Sequence, residues 1–94
     1  LFRSKPPPEF VLLSRVGCHL CDDARQLLEH LRSEFEFTVR IVDVDGDADL
    51  VRQYGDKVPV ILVDGRSRLW GRINPVLLRR IIKKRCPRRQ PDTA

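Results

Sequence analysis

Apolar residues fall along this chain in blocks whose spacing changes from one block to the next. Phe10-Val-Leu-Leu-Ser-Arg15 is nearly continuous in apolar character, as in a strand buried on both faces, and Gly17 breaks it. From about Cys18 to Glu34 the spacing becomes helical. Leu20, Ala24, Leu27, Leu28 and Leu31 recur three and four apart and make one face, and Arg25, Gln26, Glu29, His30 and Arg32 make the other. Asp22 and Asp23 lie in the first turn, where the helix dipole favours acids. Phe37-Thr-Val-Arg-Ile-Val-Asp-Val44 is rich in β-branched residues and predicts a second strand.

Asp45-Gly46 then predicts a turn. Asp47 fits as the N-cap of a short helix over Ala48–Tyr54 that Gly55 ends. Val58-Pro59-Val-Ile-Leu-Val63 predicts a third strand. Asp64-Gly65 turns it into a hairpin with a fourth, Ser67–Trp70. Asn74-Pro75 caps a last helix, with proline at the first helical position. Val76, Leu77, Leu78, Ile81 and Ile82 are its expected buried face, and Pro87 is its stop. The order is β-α-β-α-β-β-α. Residues 1–9, with Pro6 to Pro8, form an extended lead-in; 10–85 form one domain; 86–94 form a basic, disordered tail.

Charge divides the chain more sharply than composition does. Residues 1–65 hold 8 Lys/Arg against 12 Asp/Glu, whereas 66–94 hold 10 Lys/Arg against Asp92 alone. Cations near a helix C-terminus suit its dipole, so a solvated basic face is the expected role, and nucleic acid is not the expected partner. No aromatic residue after Trp70 is interleaved with these cations to stack bases. No apolar run reaches the roughly 18 residues that span a membrane. The first ten residues lack the apolar core of a secretory signal.

The candidate chemistry lies in the cysteines. Cys18, Cys21 and Cys86 are an odd set with one close pair, unlike a secreted disulfide scaffold. A reducing compartment, most simply the cytoplasm, follows as the expectation. Residues three apart on a helix lie on nearly the same face, so Cys18 and Cys21 can form a disulfide with little backbone movement. Cys18 falls at the helix start, where free N–H groups and the dipole stabilise a thiolate. Cys21 lies further in, beside Ala24 and Leu28. Cys18 is therefore the expected nucleophile and Cys21 the resolving thiol. His19, if protonated, would add to the stabilisation of Cys18. Cys86 is expected to be exposed and idle.

Metal readings fit less well. Asp43-Val-Asp-Gly-Asp-Ala-Asp49 fails the calcium-loop pattern, because its glycine is misplaced and Tyr54 stands where the closing Glu belongs. Zinc needs four ligands, and His30 lies roughly 18 Å along the helix from Cys18 at 1.5 Å per residue. No metal ligand set is assigned.

The strand, C-H-L-C at the helix start and the downstream Val58-Pro59-Val60 together resemble the glutaredoxin-like branch of the thioredoxin-fold family, over roughly residues 10–85. Asp43-Val44-Asp45, Tyr54-Gly55 and Asp64-Gly65 extend the likeness. Within that branch the chain resembles small bacterial C-x-L-C glutaredoxin-like proteins of largely unassigned substrate. The resemblance implies an α/β thioredoxin-like (glutaredoxin-type) fold, a four-stranded mixed sheet flanked by three helices. It implies a dithiol–disulfide oxidoreductase with no bound cofactor, and a cis Val58–Pro59 bond facing the dithiol.

The pattern departs at two places. His19-Leu20 stands where an aromatic residue is usual. Trp70-Gly71-Arg72-Ile73-Asn74-Pro75 replaces a Gly-Gly-x-x-Asp stretch that holds glutathione, leaving Gly71 and Asn74 as partial counterparts. The expected substrate-side residues are Val58, Pro59, His19, Gly71 and Asn74. Protein disulfides and glutathione mixed disulfides are both admitted as partners, with a separate thiol as reductant and the protein a monomer. Two other readings stand beside this one: a non-enzymatic binding module that uses the basic C-terminus, and a metal or iron–sulfur carrier bridged between two chains.

Overall fold

A computed structural model describes residues 6–90. It contains β1 (Glu9–Ser14), α1 (His19–Arg32), β2 (Thr38–Asp43), α2 (Ala48–Tyr54), β3 (Val60–Val63), β4 (Arg66–Trp70) and α3 (Pro75–Arg85), with one 3-10 turn at Val44–Gly46. The sheet order is β2-β1-β3-β4. β1 runs parallel to β2 and antiparallel to β3, and β3 pairs antiparallel with β4.

Each face of the sheet follows from alternation along β1. Phe10 and Leu12 pack with Ala24, Leu28 and Leu31 of α1 and Leu78 and Ile82 of α3. Val11 and Leu13 face the other way, with Val44 and Val60 and with Leu50 and Tyr54 of α2. Covering both faces explains why β1 shows no polar alternation. The β3–β4 hairpin turns on Asp64 and Gly65, at φ 51° and 83°. That left-handed pair matches the twist of the strands it joins.

The structure revises three readings of the C-terminal third. Val76 and Leu77, expected in the core, are exposed in the first turn of α3, whose buried residues are Leu78 and Ile82. The helix meets the core through Leu78 and Ile82 with Ile81 partly buried beside them, a stripe too narrow to take in every apolar side chain of the run. Cys86 is buried in the main core instead of exposed. The segment expected to be free from Cys86 onward is bonded as far as Arg89. Glu36 N–H donates to the Pro87 carbonyl and Arg89 N–H to the Glu34 carbonyl, both at 2.8 Å. Arg88 lies over the Phe35 ring and pairs with Glu34. Distant acceptors on the α1–β2 loop, invisible to local composition, hold this segment. The remainder of the tail, 91–94, and of the lead-in, 1–5, lies outside the described residues.

Candidate active site

The dithiol sits where β1 ends and α1 begins. Cys18 is the N-cap of α1, with extended backbone at φ −94° and ψ 103°. Its Sγ accepts the backbone N–H of Cys21 at 3.1 Å, and its carbonyl accepts from Cys21 and Asp22. A sulfur in this position does the work that Ser or Asp does at other helix starts, and it gains most when it is a thiolate. Cys18 and Cys21 are disulfide-bonded, with Cα atoms 5.2 Å apart. Cys18 is half-buried, whereas Cys21 is 1% exposed. The two sulfurs are thus unequally exposed.

The other expected site residues converge on this end of the sheet to different degrees. The Val58–Pro59 bond is cis. Pro59 is buried and Val58 half-buried, just outside β3, whose pairing with β1 begins at Val60. Gly71, at φ 70°, donates its N–H to the carbonyls of Lys57 and Pro59 at 3.0 and 2.9 Å. That conformation suits glycine and ties the loop after β4 to the proline loop. Asn74 caps α3, its Oδ1 accepting from Val76 N–H at 2.9 Å and Leu77 N–H at 3.3 Å. His19 is exposed at the first position of α1.

Two features escaped the sequence reading. Arg15 donates to both carboxylate oxygens of Asp45, the shortest contact being 2.8 Å, and to the Gly55 carbonyl at 3.1 Å. Its own carbonyl accepts the Cys18 N–H at 3.3 Å. One residue thus fastens the turn that carries the dithiol to the turn after β2 and to the segment leading to Pro59. The hydrogen bond and charge of Asp45 hold the guanidinium above its ordinary pKa, and the same pairing holds the Asp45 carboxyl below its own. The sequence offers only a cation three places before Cys18 as a hint. The second feature is a cavity of about 190 Å³ between α1 and the segment leading into α3, lined by Leu20, Leu27, Ile73 and Pro75 with Asp23 and Arg72 among its walls.

The aspartates of the Asp43–Asp49 run are used locally. Asp43 accepts from Asp45 N–H, Asp47 caps α2 and Asp49 pairs with Arg52. Among the described residues no group of three or more His, Cys, Asp or Glu is placed to hold a metal ion. No helix among them is long and apolar enough to cross a membrane.

A thioredoxin-type fold that brings two cysteines to disulfide distance at a helix start is a thiol–disulfide redox site. Known proteins resemble the chain in sequence and in fold. The chain is 33% identical over 90 residues to an uncharacterized protein of Mycobacterium tuberculosis, covering 90% of this chain and 93% of the relative. A protein of Mycobacterium bovis matches to the same extent. The solution structure of a protein from Nitrosomonas europaea superposes with a TM-score of 0.73 at 24% identity, covering 87% of this chain and 99% of that one. A thioredoxin from Plasmodium falciparum shares the fold with a TM-score of 0.68 at 16% identity, covering 92% and 77%. The family model described as a glutaredoxin-like domain (DUF836) matches residues 9–85, the stretch from the first residue of β1 to the last of α3, and the chain belongs to that family.

Proposed function

We propose that this protein reduces protein disulfides through Cys18 as nucleophile and Cys21 as resolving thiol. The observation that carries the reading is the asymmetry of the pair. Cys18 is half-buried and its sulfur accepts a backbone N–H, and Cys21 is enclosed behind it.

The steps follow from thiol–disulfide exchange. The Cys18 thiolate attacks one sulfur of the substrate disulfide. A Cys18–substrate bond forms, the substrate disulfide breaks, and its other sulfur leaves as a thiolate that takes a proton from water. Cys21, deprotonated, then attacks Cys18 Sγ and expels the second substrate thiolate. Two electrons have passed to the substrate, and the Cys18–Cys21 disulfide remains. A separate dithiol or two monothiols return the pair to the reduced state.

Asn74 and the apolar rim favour a protein over glutathione. The first N–H groups of α3 already bond to the Asn74 side chain, so a glutathione carboxylate would have to displace it. Val16 and Trp70, 90% and 60% exposed, flank the dithiol turn and the Pro59 loop with apolar surface suited to an extended peptide. Val58, outside the strand ladder, offers its backbone to such a peptide, with Pro59 as the wall beside it. His19 stands at the mouth.

Cys18→Ser should abolish disulfide reduction, and Cys21→Ser should accumulate a mixed disulfide on Cys18 that mass spectrometry detects. Turnover in Cys18→Ser equal to that of the parent protein would overturn the assignment. Faster reduction of a glutathione mixed disulfide than of a protein disulfide would overturn the substrate preference.

A further inference from the structure

The groove between β4 and α3 gathers four cations, of which the fold pairs one. Arg68, Arg80, Lys84 and Arg85 line it together with Ile81, around a cavity of about 440 Å³. Elsewhere, Arg15, Arg32, Arg40, Arg52, Arg79 and Arg88 each pair with a carboxylate, and the other cations without an ion pair among the described residues, such as Arg25, Lys57 and Arg72, do not line this groove. Among the described residues Arg68, Arg80 and Lys84 form no ion pair, and Arg85 reaches only Asp64, at 3.5 Å. Arg80 and Lys84 are four apart on α3 and share a face.

Arg68 arrives by a different device. The β3–β4 register pairs Ile61 with Leu69 but Leu62 with Ser67, so Arg68 is an extra residue in the edge strand, without a cross-strand partner. Such bulges re-aim a side chain, and here the side chain joins the groove.

Three unpaired like charges and Arg85, held by Asp64 at 3.5 Å, surround one concavity and repel one another, and a multivalent anion relieves that repulsion. The required ligand is compact. Carboxylates on an extended peptide are carried on alternate faces at about 3.3 Å per residue, whereas a phosphate chain places several charges within one such cavity. Guanidinium groups match phosphate oxygens two at a time. The groove has no aromatic lining residue, so it offers phosphate contacts without base stacking. The far turn of α3 lies about 15 Å from Pro75 at 1.5 Å per residue, away from the dithiol end.

We infer that this groove binds a compact oligophosphate, free or as the phosphate chain of a nucleotide. The site is independent of the dithiol chemistry.

The test uses the whole chain and inorganic tripolyphosphate, followed by calorimetry at about 0.15 M salt. Arg80→Gln with Lys84→Gln should weaken binding by about tenfold or more, and Arg52→Gln, on α2, should change it by less than about twofold. Circular dichroism confirms that each variant folds. Arg68→Gln, on the strand, should also weaken binding and serves if the helical pair does not fold. Adenosine triphosphate binding as tightly as tripolyphosphate would identify the phosphate chain alone as the ligand, and tighter binding would identify a nucleotide; both support the inference. No binding at that salt, equal loss in Arg52→Gln, a polyglutamate of matched charge binding as tightly, or single-stranded RNA binding more tightly than either phosphate would overturn it.

Discussion

Cysteine chemistry in this protein is set by where each sulfur sits relative to backbone N–H groups and apolar surroundings. Cys18 receives an N–H at the start of α1, the arrangement that favours a thiolate. Cys86 has the opposite environment. Burial pushes its thiol up to about 11, with the charge of Asp64 acting in the same direction and that of Arg85 against it. Reactivity requires the thiolate, so Cys86 should resist a small alkylating reagent in the native reduced protein at neutral pH while Cys18 labels quickly. Peptide mass spectrometry after brief alkylation, with and without denaturant, checks this. Native labelling of Cys86 at the rate of Cys18 would show that the core around it opens readily.

At the level of elements, the helices begin where side chains satisfy free N–H groups. Cys18, Asp47 and Asn74 cap the three α-helices in turn. In the first, the cap is itself one of the two cysteines of the disulfide. Asn74→Ala removes the acceptor for two N–H groups of α3 and should cost about 1 kcal/mol of stability in a urea titration. Asn74→Asp keeps an acceptor and adds a charge that suits the helix dipole, so its stability should match or exceed that of the parent. Equal stability of the Ala and Asn proteins would remove the cap from the account of α3.

Across the whole molecule, the C-terminal segment closes the fold against the α1–β2 loop. Arg79 donates twice to Glu34, at 2.6 and 2.7 Å, and Arg88 donates once at 2.9 Å. Both guanidiniums lie over the Phe35 ring, 5.4 and 5.3 Å from its centre. The hydrogen bonds from Arg79, against some opposing desolvation, lower the Glu34 carboxyl from its ordinary 4.5 to about 2, and its charge and that of Arg88 add to the effect. A carboxyl lowered in the folded state stabilises the fold fully above its unfolded value, and that contribution disappears as the pH falls through the folded value. The clasp should therefore weaken as the pH drops from about 4.5 toward 2. Glu34→Gln should lower the melting temperature at neutral pH and flatten its fall across that acid window. An unchanged acid profile in Glu34→Gln would place the acid sensitivity in other carboxylates.

The sequence by itself determined the element order and the place of the dithiol at the start of α1, because helix periodicity, strand runs, caps and turns are local. Leu20 to Leu31 specify one face of α1 without reference to anything distant, and Asp64-Gly65 specifies its own hairpin. Tertiary structure decided what depends on residues meeting across the fold. It decided that Arg15 reaches Asp45 and Gly55, and that Cys86 faces the core. It decided that Val76 and Leu77 do not, and that Glu34 finds Arg79 and Arg88. It also set Arg68 beside Arg80 and Lys84, by one extra residue in β4. Each of these is a pairing between segments separated in the chain, and hydrophobic spacing reports which face a residue takes, not which partner it meets there.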